Sequence, residues 1–138
     1  QIERGLKMII DKGHRRIGVL GFSFKAGTDD LRESPLIEVI ERLLGKGYEL
    51  RIFDRNVELA RLTGANRDFI LNHIPHISRL MVGTIEDVLR FGKTIVTGNN
   101  APEFRDVPAR LEEGQVLVDF VRISQTESAP GRYDGICW

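Results

Sequence analysis

Arg16-Ile17-Gly18-Val19-Leu20-Gly21-Phe22 is a short apolar run followed by a polar loop over residues 23–33 and then by Ser34-Pro35. A continuous apolar stretch of this length, punctuated by glycine, reads as a strand buried on both faces. Ser34 can accept hydrogen bonds from the free N–H groups of a first helical turn, and proline is favoured at the first helical position. Strand, long polar loop and helix start in this order predict a βα unit of a parallel sheet.

The same alternation continues outward. Upstream, Ile2, Leu6, Ile9 and Ile10 recur at helical spacing, with Gly13 as a stop. Downstream, Leu36, Ile37, Val39, Ile40, Leu43 and Leu44 form an apolar helix face ended by Gly45 and Gly47. Residues 48–53 read as a second strand ending at Asp54, and 57–66 as a helix. Residues 67–79 are ambiguous, because Pro75 breaks any long helix there. Leu80-Met81-Val82 reads as a short strand, and Thr84 as the cap of a helix over 85–91 with Glu86 and Asp87 in its first turn. Strands follow at 94–97 and 116–120, with a weaker helix at 102–111 between them and a polar tail over 123–138. The expectation is a Rossmann-like α/β fold: an open parallel sheet of about five strands with helices on both faces. Its divisions are 1–13 (end of an inter-domain or central helix region), 14–122 (the α/β domain) and 123–138 (a C-terminal tail packed on or near it).

Composition narrows the function without naming it. The 138 residues fit one domain with one core. Twenty Lys+Arg balance 20 Asp+Glu, so the basic excess of a general nucleic-acid or membrane-surface binder is missing. No run approaches the roughly 18 apolar residues of a membrane span. One Cys excludes an internal disulfide framework and a Cys metal cluster, and fits a reducing cytosol. A chain that opens mid-pattern at Gln1 reads as part of something longer.

In an open parallel sheet, ligands bind beyond the carboxyl ends of the strands, where the strand order switches direction. For an order 3-2-1-4-5 that point lies between the first and fourth strands. Its loops carry Lys25, Thr28, Asp29, Asp30, Arg32, Asn99 and Asn100, and the last strand brings Asp119 and Arg122 to the same edge. Lys25 and Arg32 on a loop running into a helix N-terminus suit a diphosphate. Spacing alone leaves open whether Arg32 instead pairs with Asp29, Asp30 or Glu33. Gly18-Val19-Leu20-Gly21 is not the G-x-G-x-x-G dinucleotide fingerprint, and Gly27 comes too late to complete it. Asp54 resembles a ribose-binding acid, but without the glycines a turn or cap role suits it better. His73 and His76 are separated by Pro75 and lack further ligands at metal spacing, so His14, His73 and His76 read as surface or core histidines and no metal is expected. Cys137 reads as a free thiol, since a nucleophile needs a base held by rigid structure. Arg15-Arg16 reads as a solvated edge.

The segment Gly21-Phe22-Ser23-Phe24-Lys25, followed by Thr28-Asp29-Asp30-Leu31-Arg32-Glu33-Ser34-Pro35, closely resembles a signature of the nucleotide-sugar 6-dehydrogenases, the UDP-glucose/GDP-mannose dehydrogenase family. The resemblance runs through Tyr48-Glu49-Leu50-Arg51-Ile52-Phe53-Asp54 to the end of the chain and points to the C-terminal, nucleotide-sugar-binding domain. It implies oxidation of a sugar C6 hydroxyl to a carboxylate in two NAD-dependent steps, with the NAD domain, a long central dimerisation helix and a catalytic Cys all outside this chain. Cys137 does not match that Cys, so no catalytic residue is expected here and the piece alone would be inactive. By resemblance, Lys25 and Phe24 contact the nucleotide sugar and Arg32 reaches NAD. A lysine near the reacting carbon can stabilise negative charge developing on oxygen, and an arginine fork suits phosphates. Asp119-Phe120-Val121-Arg122 departs from the Asp-Gly-Arg-Asn of the UDP-sugar branch, as does Asn99-Asn100-Ala101-Pro102-Glu103-Phe104, which favours GDP-mannose and GDP-mannuronate as ligands in alginate precursor supply. The implied setting is a cytoplasmic homodimer or higher homo-oligomer. A UDP-sugar dehydrogenase and a non-catalytic nucleotide-binding or interaction module remain the alternatives.

Overall fold

Every residue from Ile17 to Leu20 is buried, as expected for a strand covered on both faces, and this strand, β1 (Arg16–Leu20), lies inside the sheet. The computed structural model describes residues 2–22, 35–57, 75–121 and 133–135, with the side chains of 75, 78 and 133–135 outside that description. β1 pairs in parallel with β2 (Glu49–Phe53) on one side and β3 (Thr94–Thr97) on the other. β4 (Val116–Asp119) extends the sheet beyond β3, and β5 (Tyr133–Gly135) beyond β4, both parallel. The order is β2-β1-β3-β4-β5.

Two expectations about strands are corrected. Residues 80–82 form a single parallel bridge, Ile52 with Met81, on the outer side of β2. Leu80 still belongs to the turn that ends the preceding helix, donating its N–H to Ile77 O at 2.9 Å, and Thr84 already caps the next one. Only Met81 is free to extend, flanked by Ile52 N–H to Leu80 O at 3.0 Å and Val82 N–H to Ile52 O at 2.9 Å. Within the stretch read as a polar tail, Tyr133–Gly135 is a strand. Three residues without apolar alternation carry no local signal, and their extension depends on pairing with β4. Counting the Met81 bridge, the expected 3-2-1-4-5 order is present with β5 added at its far edge.

Alternating strand residues feed two cores, one on each face. Ile17, Val19, Leu50, Ile52, Val96 and Val118 face α1 (Ile2–Asp11), α2 (Pro35–Gly45) and the short α3 (Pro75–Ser78). Leu20, Phe53, Ile95 and Leu117 face α4 (Ile85–Phe91) and α5 (Val107–Arg110). Each fully buried side chain of this kind contributes roughly 1.5–3 kcal/mol. α2 starts at Pro35, and α4 is capped as expected, with Asp87 N–H donating to Thr84 Oγ1 at 3.1 Å. The helix expected over 102–111 is instead a 3-10 turn, Pro102–Phe104, followed by α5. Pro108 has no N–H to donate back to Phe104, which interrupts a continuous ladder.

α4 lies directly on β1 because position 18 has no side chain. A Cβ on Gly18 would stand 2.5 Å from Val88 Cγ1 and 3.0 Å from Val88 O. Gly18→Val should therefore lower stability by about 1–3 kcal/mol through overpacking, read as a fall in urea midpoint at unchanged slope. On the other face, Arg42 of α2 ties α1 by donating to Glu3 and approaching Glu38 at 3.3 Å. The hydrogen bond from Arg42, then its charge, holds the Glu3 carboxyl below the usual glutamate range. A depressed folded pKa makes this contribution complete above the unfolded value and lost as pH falls through the folded one. Arg42→Ala should return the Glu3 titration, followed by NMR, to the ordinary glutamate range.

Candidate functional site at the carboxyl edge

The direction of the sheet switches between β1 and β3, and the chain leaves both strands at the same edge. Gly98 N–H donates to Leu20 O at 2.9 Å and Gly21 N–H to Phe53 O at 2.8 Å, so backbone bonds continue past the last paired strand residues. The two exits touch: a Cβ on Gly98 would lie 2.2 Å from Gly21 O. That atom belongs to the main chain and cannot swing away, so no side chain fits at position 98. Gly21 adopts φ of 80°, a left-handed conformation open to glycine.

Among the described residues, two buried carboxylates organise this edge. Asp54, 2% exposed at the end of β2, accepts N–H bonds from Phe22 at 3.1 Å, Asn56 at 3.1 Å and Val57 at 3.3 Å, and from Asn99 Nδ2 at 3.3 Å. Asn99, also buried, accepts from Ala101 N–H at 3.2 Å. Asp119 is fully buried and accepts from Thr97 Oγ1, its register partner on β3, at 2.8 Å and from Val121 N–H at 3.1 Å. Asp54 thus has the cap and turn role that suited it better in the sequence, not that of a ribose acceptor facing solvent.

The structure brings Asn99, Asn100 and Asp119 to one edge with Phe22, as the switch-point expectation required, and only Asn100 of these is exposed. Phe24, Lys25, Thr28, Asp29, Asp30, Arg32, Arg122, His73 and Cys137 lie outside the described residues. His14 sits at the opposite end of the strands, its Nδ1 2.9 Å from Thr94 Oγ1, and His76 is 3.4 Å from Glu41 on the surface. Arg15 donates to Gly47 O, and Arg16 and Arg51 lie over the Phe91 ring at 5.5 and 4.5 Å; Arg15 and Arg16 are exposed, Arg51 is half-buried, and Arg16 also approaches Glu49 at 3.9 Å. Gly98 was missed in the sequence, although a glycine directly after an apolar run at a switch-point strand end is a readable signal.

Residues 18–126 match the model of the UDP-glucose/GDP-mannose dehydrogenase family, UDP binding domain. The chain belongs to this family. Over its whole length it is 46% identical to GDP-mannose 6-dehydrogenase of Pseudomonas aeruginosa, of which it covers 31%, and 44% identical to that of Azotobacter vinelandii, again covering 31%. UDP-glucose 6-dehydrogenase of Rickettsia conorii is 27% identical over 83% of the chain and 25% of that protein. A crystal structure of a ternary complex of GDP-mannose dehydrogenase from Pseudomonas aeruginosa aligns over 100% of this chain and 31% of that one, with a TM-score of 0.92 at 46% identity. UDP-glucose dehydrogenase of Pyrobaculum islandicum aligns with a TM-score of 0.70 at 26% identity, over 99% of this chain and 29% of that one. The chain spans about a third of the length of the GDP-mannose 6-dehydrogenases it matches.

Away from this edge, the described residues form a cleft. That cleft, about 260 Å³, is lined by Glu86, Leu89, Arg90, Arg110, Glu112 and Gln115. Its polar groups serve packing: Arg110 pairs with Glu86 at 3.1 Å, and Gln115 Nε2 donates to Leu89 O at 2.6 Å and Gly92 O at 2.8 Å. The switch point is therefore the better candidate site. Gly98→Ala should cost about 3 kcal/mol, the upper end for overpacking because main chain has to move. A thermal melt within a degree or two of wild type would contradict the backbone contact.

Proposed function

We propose that this chain is the nucleotide-sugar-binding domain of an NAD-dependent GDP-mannose 6-dehydrogenase, which oxidises GDP-mannose to GDP-mannuronate as an alginate precursor. The observation that carries the assignment is 46% identity to the Pseudomonas aeruginosa enzyme across every residue of the chain. A UDP-sugar substrate has weaker support: the family model is described as UDP binding, but identity to a UDP-glucose 6-dehydrogenase falls to 27% over a shorter stretch.

The switch point gives this proposal its physical form. Lys25 and Arg32 lie in the sequence between β1 and α2, and in this proposal both cations serve the edge where nucleotide ligands of open sheets bind. In this proposal Lys25, with Phe24 beside it, contacts the nucleotide sugar, and Arg32 offers its guanidinium fork to phosphates of NAD. The described residues do not fit a dinucleotide site of their own. Gly18 is occupied by packing against Val88, and the Asp54 carboxylate is buried against four donors among the described residues. NAD, which supplies the hydride acceptor, would be held mainly by a part of the longer enzyme outside this chain, with Arg32 reaching it from this side. Catalytic nucleophile and dimer contacts belong to that part as well.

In the full-length protein, Lys25→Ala should lower turnover and raise the KM for GDP-mannose, each by about tenfold or more, the scale of one lost charge-assisted contact. Arg32→Ala should raise mainly the KM for NAD. NADH formation followed at 340 nm checks both, and unchanged kinetics in the two variants would contradict the site. No NADH formation from any nucleotide sugar would favour a non-catalytic module instead.

A further inference from the structure

The two oxygens of Asp54 have separate duties. Oδ1 accepts from Asn56 and Val57 N–H, the bonding pattern of a cap on the helical turn that follows β2. Oδ2 accepts from Phe22 N–H, just beyond β1, and from Asn99 Nδ2, just beyond β3. A cap alone needs one oxygen, and neutral Asn caps a helix about as well as Asp. Burying a charged carboxylate is costly unless hydrogen bonds compensate it. Here the charge is matched by donors from three separate segments, so aspartate does more than a cap requires.

We propose that Asp54 is a positioning residue for nucleotide-sugar binding: its Oδ2 fixes the backbone at Phe22, three residues before Lys25, against Asn99 on the far side of the switch point. The inference rests on the assignment of Lys25 to the nucleotide sugar. Phe22 and Asn99 are buried, so water does not readily replace the lost acceptor. Charge-assisted bonds are roughly twice as strong as neutral ones. The brace therefore fixes the chain at Phe22, the described residue nearest Lys25 on its N-terminal side in sequence, and in this proposal its loss acts on the ligand through Lys25.

Asp54→Asn in the full-length protein separates the two duties. The amide oxygen keeps the cap, while the amide NH2 turns a donor toward Phe22 N–H and Asn99 Nδ2. The KM for GDP-mannose should rise about tenfold while that for NAD stays within about twofold. Adding Asn99→Asp restores one donor–acceptor pair and should recover part of the KM. Amide exchange at Phe22 should accelerate about tenfold in Asp54→Asn, with the amides of β4 unchanged. A GDP-mannose KM equal to wild type, with any deficit confined to the amount of active enzyme, would overturn the positioning role. Unchanged exchange at Phe22 would overturn the brace even in a protein that oxidises GDP-mannose normally. Accelerated exchange in a protein whose wild type does not turn over GDP-mannose would uphold the brace and overturn the functional assignment.

Discussion

The carboxylate of Asp54 holds the carboxyl edge of this domain together. It sits at the end of β2, yet its hydrogen bonds reach the exits of β1 and β3 as well as its own turn. Sheet ladders align strands but say nothing about where chains go once the ladder ends. At this edge the Asp54 bonds and the Gly98–Gly21 backbone contact supply that missing constraint. They act on one peptide unit, Gly21–Phe22: the N–H side is drawn to Asp54, and the carbonyl side sets how closely residue 98 approaches. The Thr97–Asp119 pair repeats the device one strand further along.

Much of this fold is legible from residue pattern, for reasons that differ by element. β1 is readable because burial on both faces demands an uninterrupted apolar run, and α4 because Thr84 and its acidic first turn mark the start. The Met81 strand shrinks to a bridge because caps on either side claim its neighbours, a competition that propensity alone does not resolve. β5 is invisible for the opposite reason. Its extension is conferred by β4, a partner distant in sequence. Pro108 could have signalled the break between the 3-10 turn and α5, since its missing N–H lies in the middle of the expected helix.

For the site, switch-point logic locates the edge, and Asn99, Asn100 and Asp119 do gather there. Their roles are less legible. Asn99 reads as a ligand-binding residue in the sequence and Asp119 as reaching the same edge, but both are buried and bonded within the domain. Charge balance hides the electrostatics in a similar way. Zero net charge over the chain coexists, among the described residues, with two buried carboxylates at the edge. Family membership, shown by residues 18–126, supports the ligand class proposed for this edge, which geometry alone does not select.

The role proposed for this edge is to bind a guanine nucleotide sugar. Isothermal titration of the full-length protein with GDP-mannose and with UDP-glucose tests it most directly. Saturable binding of GDP-mannose, with UDP-glucose at least about tenfold weaker, a gap of about 1.4 kcal/mol, is the predicted result. Equal affinity for the two, or a preference for UDP-glucose, would contradict it.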